Sequence, residues 1–176
     1  MHRETALERH FWRFWLIGLL LLAMQIVMNV WLMTDASPLG ISDHQAAGTA
    51  ARVNAIQAGW VRAGVIDLAV ISMGVDLIFI GVYSWGAWAG GKMFAKSPHA
   101  MLARLGTIIL LAAAGFVLAD YIETICQIVQ VAVIGGNDRL AGIAAQVRPL
   151  KMVLFLVTFF GLLLALVIRR MTRGTA

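Results

Sequence analysis

The sequence predicts an all-α fold. It reads as a polytopic membrane protein, a four transmembrane helix bundle with a short amphipathic helix in the first outer connection. Three observations carry that expectation. Of 176 residues, 61% are hydrophobic and only 13% charged, about half the charge that coats a typical soluble domain. Four apolar segments, about 14–33, 61–89, 102–134 and 150–168 of a single domain 1–176, reach the roughly 20 residues that a bilayer span needs. The charges fall between and beyond these segments, so the net charge of +5 does not point to nucleic acid.

Ahead of the first apolar run stand Arg9, Phe11, Trp12, Arg13 and Trp15. Aromatics beside arginines belong at the headgroup level of a membrane. His2 and His10 lack metal-ligand spacing. The apolar run that follows is longer than a signal-peptide core, and no A-x-A site succeeds it, so it reads as a retained first span. Gln25 and Asn29 lie on one face of it, four residues apart. Such amides either bond across to a neighbouring helix or line a polar pocket.

The connection 34–60 begins with the turn residues Asp35, Ser37, Pro38 and Gly40. Ser42 or Asp43 is placed to cap a helix. His44, Gln45, Arg52, Asn54 and Gln57 alternate with apolar residues, which predicts a short amphipathic helix on the outer face. Nothing in the pattern stops it from running straight into the second span.

That span holds Asp67 and Asp76 on opposite faces. Gly74 and Gly81 accompany Asp67, and small residues let helices approach closely. Asp76 lies near the middle and is expected to face the bundle centre. Trp85 and Trp88 mark the end of the span, and Gly90-Gly91-Lys92 breaks the pattern without the G-K-[ST] of a phosphate loop. His99, beside Lys96, reads as a surface histidine of the inner connection.

The third span is the informative one. On a helix, Asp120, Glu123, Gln127 and Gln130 fall within an arc of roughly 80°, opposite Leu111, Leu118, Ile122, Ile125 and Val129. A carboxylate at bilayer depth costs a few kcal/mol or more, so it faces protein and has a partner or a task. Either these groups brace neighbouring helices, or they handle a proton, an ion or a headgroup. The single cysteine, Cys126, allows neither an internal disulfide nor a metal cluster.

Gly135-Gly136-Asn137-Asp138 predicts a turn in the last connection. Arg148 and Lys151 then stand at the mouth of the fourth span, where a pair with Asp120 or Glu123 is geometrically allowed. Thr158 and Gly161 are the few interruptions of the fourth span, which is expected to face lipid. Arg3, Arg9, Arg13, Lys92, Lys96, Arg104, Arg169, Arg170 and Arg173 fall on one side of a four-span topology. Arg52, Arg62, Arg139, Arg148 and Lys151 fall on the other. The positive-inside rule then sets both termini in the cytoplasm of an inner-membrane protein.

A mid-span aspartate followed by Phe and Tyr (Asp76, Phe79, Tyr83), with a later Asp-x-x-Glu (Asp120, Glu123), resembles a pattern in uncharacterised bacterial four-helix membrane proteins. The resemblance covers the second and third spans. It implies a four-helix fold and draws attention to these residues, and it implies no reaction.

The candidate ligand-binding residues are Asp76, Asp120, Glu123, Gln127, Gln25, Asn29, Lys151 and Arg148. They predict a carboxylate-lined intramembrane polar cavity that binds a lipid headgroup, a cation or a proton. One alternative is a non-catalytic accessory subunit of a larger membrane complex, and another is a membrane enzyme acting on a lipid. Membrane lipids, a second copy or a larger complex are the expected partners. HExxH, GxSxG, Walker and CxxC motifs are absent, and no catalytic residue, metal or cofactor is indicated. No span contains a histidine, which disfavours an embedded haem.

Overall fold

The structure, a computed structural model, describes residues 6–173. His2, Arg3, Glu4 and the Arg173 side chain lie outside the described residues. The helices are α1 (Ala6–Trp31), α2 (Ile41–Gln45), α3 (Ala50–Arg62), α4 (Ile66–Ala95), α5 (Ala100–Ala132) and α6 (Asp138–Arg173). Four of them, α1, α4, α5 and α6, are long and apolar enough to cross a membrane. The fold is therefore all-α, as the apolar segments predict.

Several element ends depart from the sequence expectation. α3, the alanine-rich helix of the first connection, is capped by Thr49, whose hydroxyl accepts from Arg52 N at 3.3 Å, and not by Ser42 or Asp43. Asp43 instead accepts from Leu39 N at 2.7 Å and holds the preceding turn. α3 does not run into α4. Gly64, at φ +69, closes it, with Gly64 N donating to Val61 O and Val65 N to Trp60 O; a left-handed residue at this place is where helices end. Gly90-Gly91 does not break α4, which continues to Ala95. The connection before the fourth span is mostly helical, because α6 starts at Asp138 and carries Pro149 inside it. Asn137 caps that start by accepting from Leu140 N at 3.1 Å.

The described chain forms two compact units. The first contains Met1–Leu19, Gly81–Val117 and Lys151–Ala176. Its core is aromatic: Tyr83 meets Phe116 edge-on at 5.7 Å, and Phe11 stacks on Trp15 at 5.4 Å. Glycines let its backbones touch. A Cβ on Gly18 would stand 2.8 Å from Tyr83 Cα. One on Gly86 would collide with the Trp15 backbone, and one on Gly106 with Ala95 N. Arg169 closes the terminal end of this unit with a 2.6 Å ion pair to Glu8.

The second unit contains Leu20–Ile80 and Leu118–Leu150. Leu32, Ile56, Trp60, Ala69, Met73 and Val131 form its apolar cluster. Trp60 Nε1 donates to Leu32 O at 2.8 Å, which fastens α3 to the turn after α1. Asp138 accepts from Ala50 N at 2.7 Å, and Asn54 accepts from Gly136 N, so the connection before α6 is clamped to α3.

Candidate functional site

The polar stripe of α5 lies in the second unit. Asp120, Glu123, Thr124, Gln127 and Gln130 are each no more than 2% exposed, while Leu118, Ile122, Ile125 and Val129 on the opposite side are exposed. The arc read from helical spacing is thus the protein-facing side of the helix. Branched apolar side chains occupy the face left for lipid.

Two polar clusters meet this stripe. In the first, Asp76 accepts at both oxygens: Gln25 Nε2 donates to Oδ1 at 3.2 Å, and Thr124 Oγ1 to Oδ2 at 2.8 Å. Ser72 Oγ donates to Gln25 Oε1 at 2.9 Å, so α1, α4 and α5 are joined through one aspartate. Tyr121 OH adds a bond to Leu77 O at 3.2 Å, again between α5 and α4. Placing a carboxylate mid-helix costs less when each oxygen has its own donor.

In the second cluster, the His44 ring stacks on Trp60 with centroids 5.3 Å apart. Its Nε2 is 3.2 Å from Gln57 Nε2. Gln127 of the stripe lies beside the ring. Burial pushes the His44 pKa down to about 4, and the neighbouring Gln127 amide works the other way. His44 and Gln57 are both almost fully enclosed. The sequence places them on the polar, water-facing side of an amphipathic helix; the fold turns them inward. One turn further along α5, Gln130 Oε1 accepts from Asn137 N at 3.0 Å and fixes the chain as it leaves the helix.

Among the other sequence candidates, Asn29 is engaged elsewhere. Asn29 accepts from Ile41 N at 2.7 Å and donates to Leu39 O at 3.2 Å, so its amide is committed to the turn before α2. Arg148 is half-buried in the second unit, and Lys151 is buried in the first. Asp67 is exposed in the first turn of α4.

The arrangement offers buried acids, amides and a neutral imidazole, a set suited to holding a proton or a polar group away from lipid. Among the described residues no three His, Cys, Asp or Glu side chains converge. Comparison with known proteins finds no matching family model, no matching curated protein and no matching solved structure.

Proposed function

We propose that this protein is a small multi-pass protein of the inner membrane, with both termini cytoplasmic, that takes up and releases a proton at the carboxylates of α5. The observation that supports it is the near-complete burial of Asp120 and Glu123 on one stripe with Thr124 and Gln127. Acids so enclosed at bilayer depth are rare, and they concentrate where protons or ions are handled. The Asp76 cluster, reached through Thr124, sets a third acid beside the two of the stripe. The broader reading, in which the stripe holds a small cation or headgroup instead, rests on the same residues.

Infrared difference spectroscopy on the protein in lipid tests the reading. A pH step should produce a protonated-carboxyl band that disappears in Asp120→Asn or Glu123→Gln. If the spectra of both variants match the wild type, the stripe is a structural brace and the proposal falls.

A further inference from the structure

The connection between α1 and α4 carries a buried titratable group, His44, that the α5 carboxylates do not account for. Of the five side chains of α2, His44 alone is buried, at 2% exposure; Ile41, Ser42, Asp43 and Gln45 are half-buried. Its ring is inserted among residues distant in sequence. It stacks on Trp60 of α3, faces the Gln57 amide at 3.2 Å and lies beside Gln127 of the α5 stripe. A helix of five residues has no stability of its own in water, so α2 depends on its docking, and this ring is the deepest part of it.

The ends of the segment are anchored without His44. Asn29 of α1 donates to Leu39 O and accepts from Ile41 N, which holds the chain as it enters α2. Asp138 accepts from Ala50 N, just past the other end. Between the anchors stands Gly48 at φ +71, in open space: a Cβ there would meet nothing nearer than 3.9 Å. Trp60 Nε1 keeps its bonds to Leu32 O and Ser37 Oγ whether or not the histidine covers its ring. Residues 42–48 can thus lift while α3 and its apolar cluster stay in place. Lifting uncovers the Gln57 and Gln127 amides, and Glu123 lies one turn from Gln127 on the same buried face.

We propose that residues 42–48 form an acid-released strap over the Gln127 end of the α5 stripe, with His44 as its latch. A proton taken up by the imidazole lifts the strap and admits water to that end. The purpose of the strap rests on the proton reading of the stripe; the latch does not. The groups around the ring set the direction. Gln57 and Trp60 of α3 and Gln127 of α5 do not titrate. The charged groups on the surrounding elements are Asp43 of α2, which accepts from Leu39 N, the exposed Arg52 and Arg62 of α3, Glu123 of α5, and Asp138 of α6. Burial prevails and pulls the enclosed ring from 6.5 to about 4, whereas a lifted ring stands in water with its ordinary value. The proton therefore binds the lifted state more tightly, and the opening constant grows about 30-fold from pH 7.5 to pH 5.

Amide exchange of the full-length protein in lipid nanodiscs, resolved to single residues, tests this. Ala46 N and Ala47 N are bonded within the segment, to Ser42 O and His44 O, and lose those bonds when it lifts. Corrected for intrinsic rates, their protection should fall about 30-fold from pH 7.5 to pH 5 and should lie about tenfold or more below that of Ile56 and Trp60 in α3. In His44→Gln the protection of Ala46 and Ala47 should not change with pH. Equal protection in the strap and in α3 would mean that the two open together and would overturn the proposal. Protection at Ala46 that ignores pH, or a fall that persists in His44→Gln, would overturn it too. If His44→Gln does not fold, the titration of the His44 ring by nuclear magnetic resonance replaces it: the ring and the strap amides should follow one pH course, and two separate courses would refute the latch. A strap that responds in a protein lacking the protonated-carboxyl band refutes the proton reading and leaves the latch standing; the band without the response does the reverse.

Discussion

Gln57 Nε2 lies 3.2 Å from His44 Nε2, and the ring it faces is almost fully enclosed. With the amide nitrogen as donor the imidazole nitrogen accepts, and burial, which pulls the His44 pKa down to about 4, keeps the ring neutral. A protonated His44 would turn donor against donor. The stack on Trp60 and the near-complete enclosure of the ring leave little water to compensate.

Stability should therefore fall on mild acidification. His44 has a folded pKa lowered from 6.5 to about 4. Between those values the unfolded chain binds the proton and the folded one does not, so stability is full above about pH 6.5 and declines as pH falls toward 4. The loss is about 2 kcal/mol near pH 5 and about 3 kcal/mol once both states are protonated. Thermal melts in mild detergent at pH 7 and pH 5 should show it, and His44→Gln should remove most of that pH dependence. An unchanged pH profile in the variant would place the effect elsewhere.

Asp76 should behave as a structural hub. Asp76→Leu leaves the Thr124 hydroxyl without its acceptor, at about 1–3 kcal/mol, while Gln25 Nε2 loses one acceptor and keeps Ser72 O at 3.0 Å. Asp76→Asn keeps one acceptor and should cost about half as much. A double-mutant cycle with Thr124→Val should give a coupling of about 1 kcal/mol or more; strict additivity would mean that the 2.8 Å bond contributes nothing net.

How far the sequence speaks depends on the range over which a residue acts. The four long helices are legible because a bilayer span writes itself into twenty neighbouring residues. The α5 stripe is legible because its members recur at helical spacing and all face one way. His44 is not legible: α2 is five residues long, too short for a period, and its ring is buried by Gln57, Trp60 and Gln127 from elsewhere in the chain. Asn29 misleads for the same reason, since its helical face pairs it with Gln25 while its bonds go to a turn ten and twelve residues away. Gly86 and Gly90 did carry a signal, the small-x-x-x-small spacing of close helix approach. It was obscured because a glycine pair followed by lysine looks like a break.

The glycines give a paired prediction. Nothing lies within 4 Å of a Cβ built on Gly74, whereas one on Gly86 meets the Trp15 and Phe14 backbone. Gly74→Ala should be neutral or stabilising by up to about 1 kcal/mol through helix propensity. Gly86→Ala forces two backbones apart and should cost about 2 kcal/mol or more, and Gly86→Leu still more. Melting temperatures of the two alanine variants should move in opposite directions or differ by several degrees. Equal shifts would show that α1 and α4 are not held at backbone contact there.

Ile134 holds a strained position at the end of α5. Gly135 N donates to Gln130 O at 3.0 Å and Ile134 N to Val131 O at 3.1 Å, so α5 ends on a tight closing turn with Ile134 at its left-handed position. Ile134→Gly removes about 1–2 kcal/mol of backbone strain and returns part of it as unfolded-chain entropy, about 0.5–1 kcal/mol. The folded protein should gain up to about 1 kcal/mol, since the side chain is largely exposed and little packing is lost. Thermal melts in mild detergent check it: a fall in melting temperature would mean that the Ile134 side chain supports the end of α5 itself.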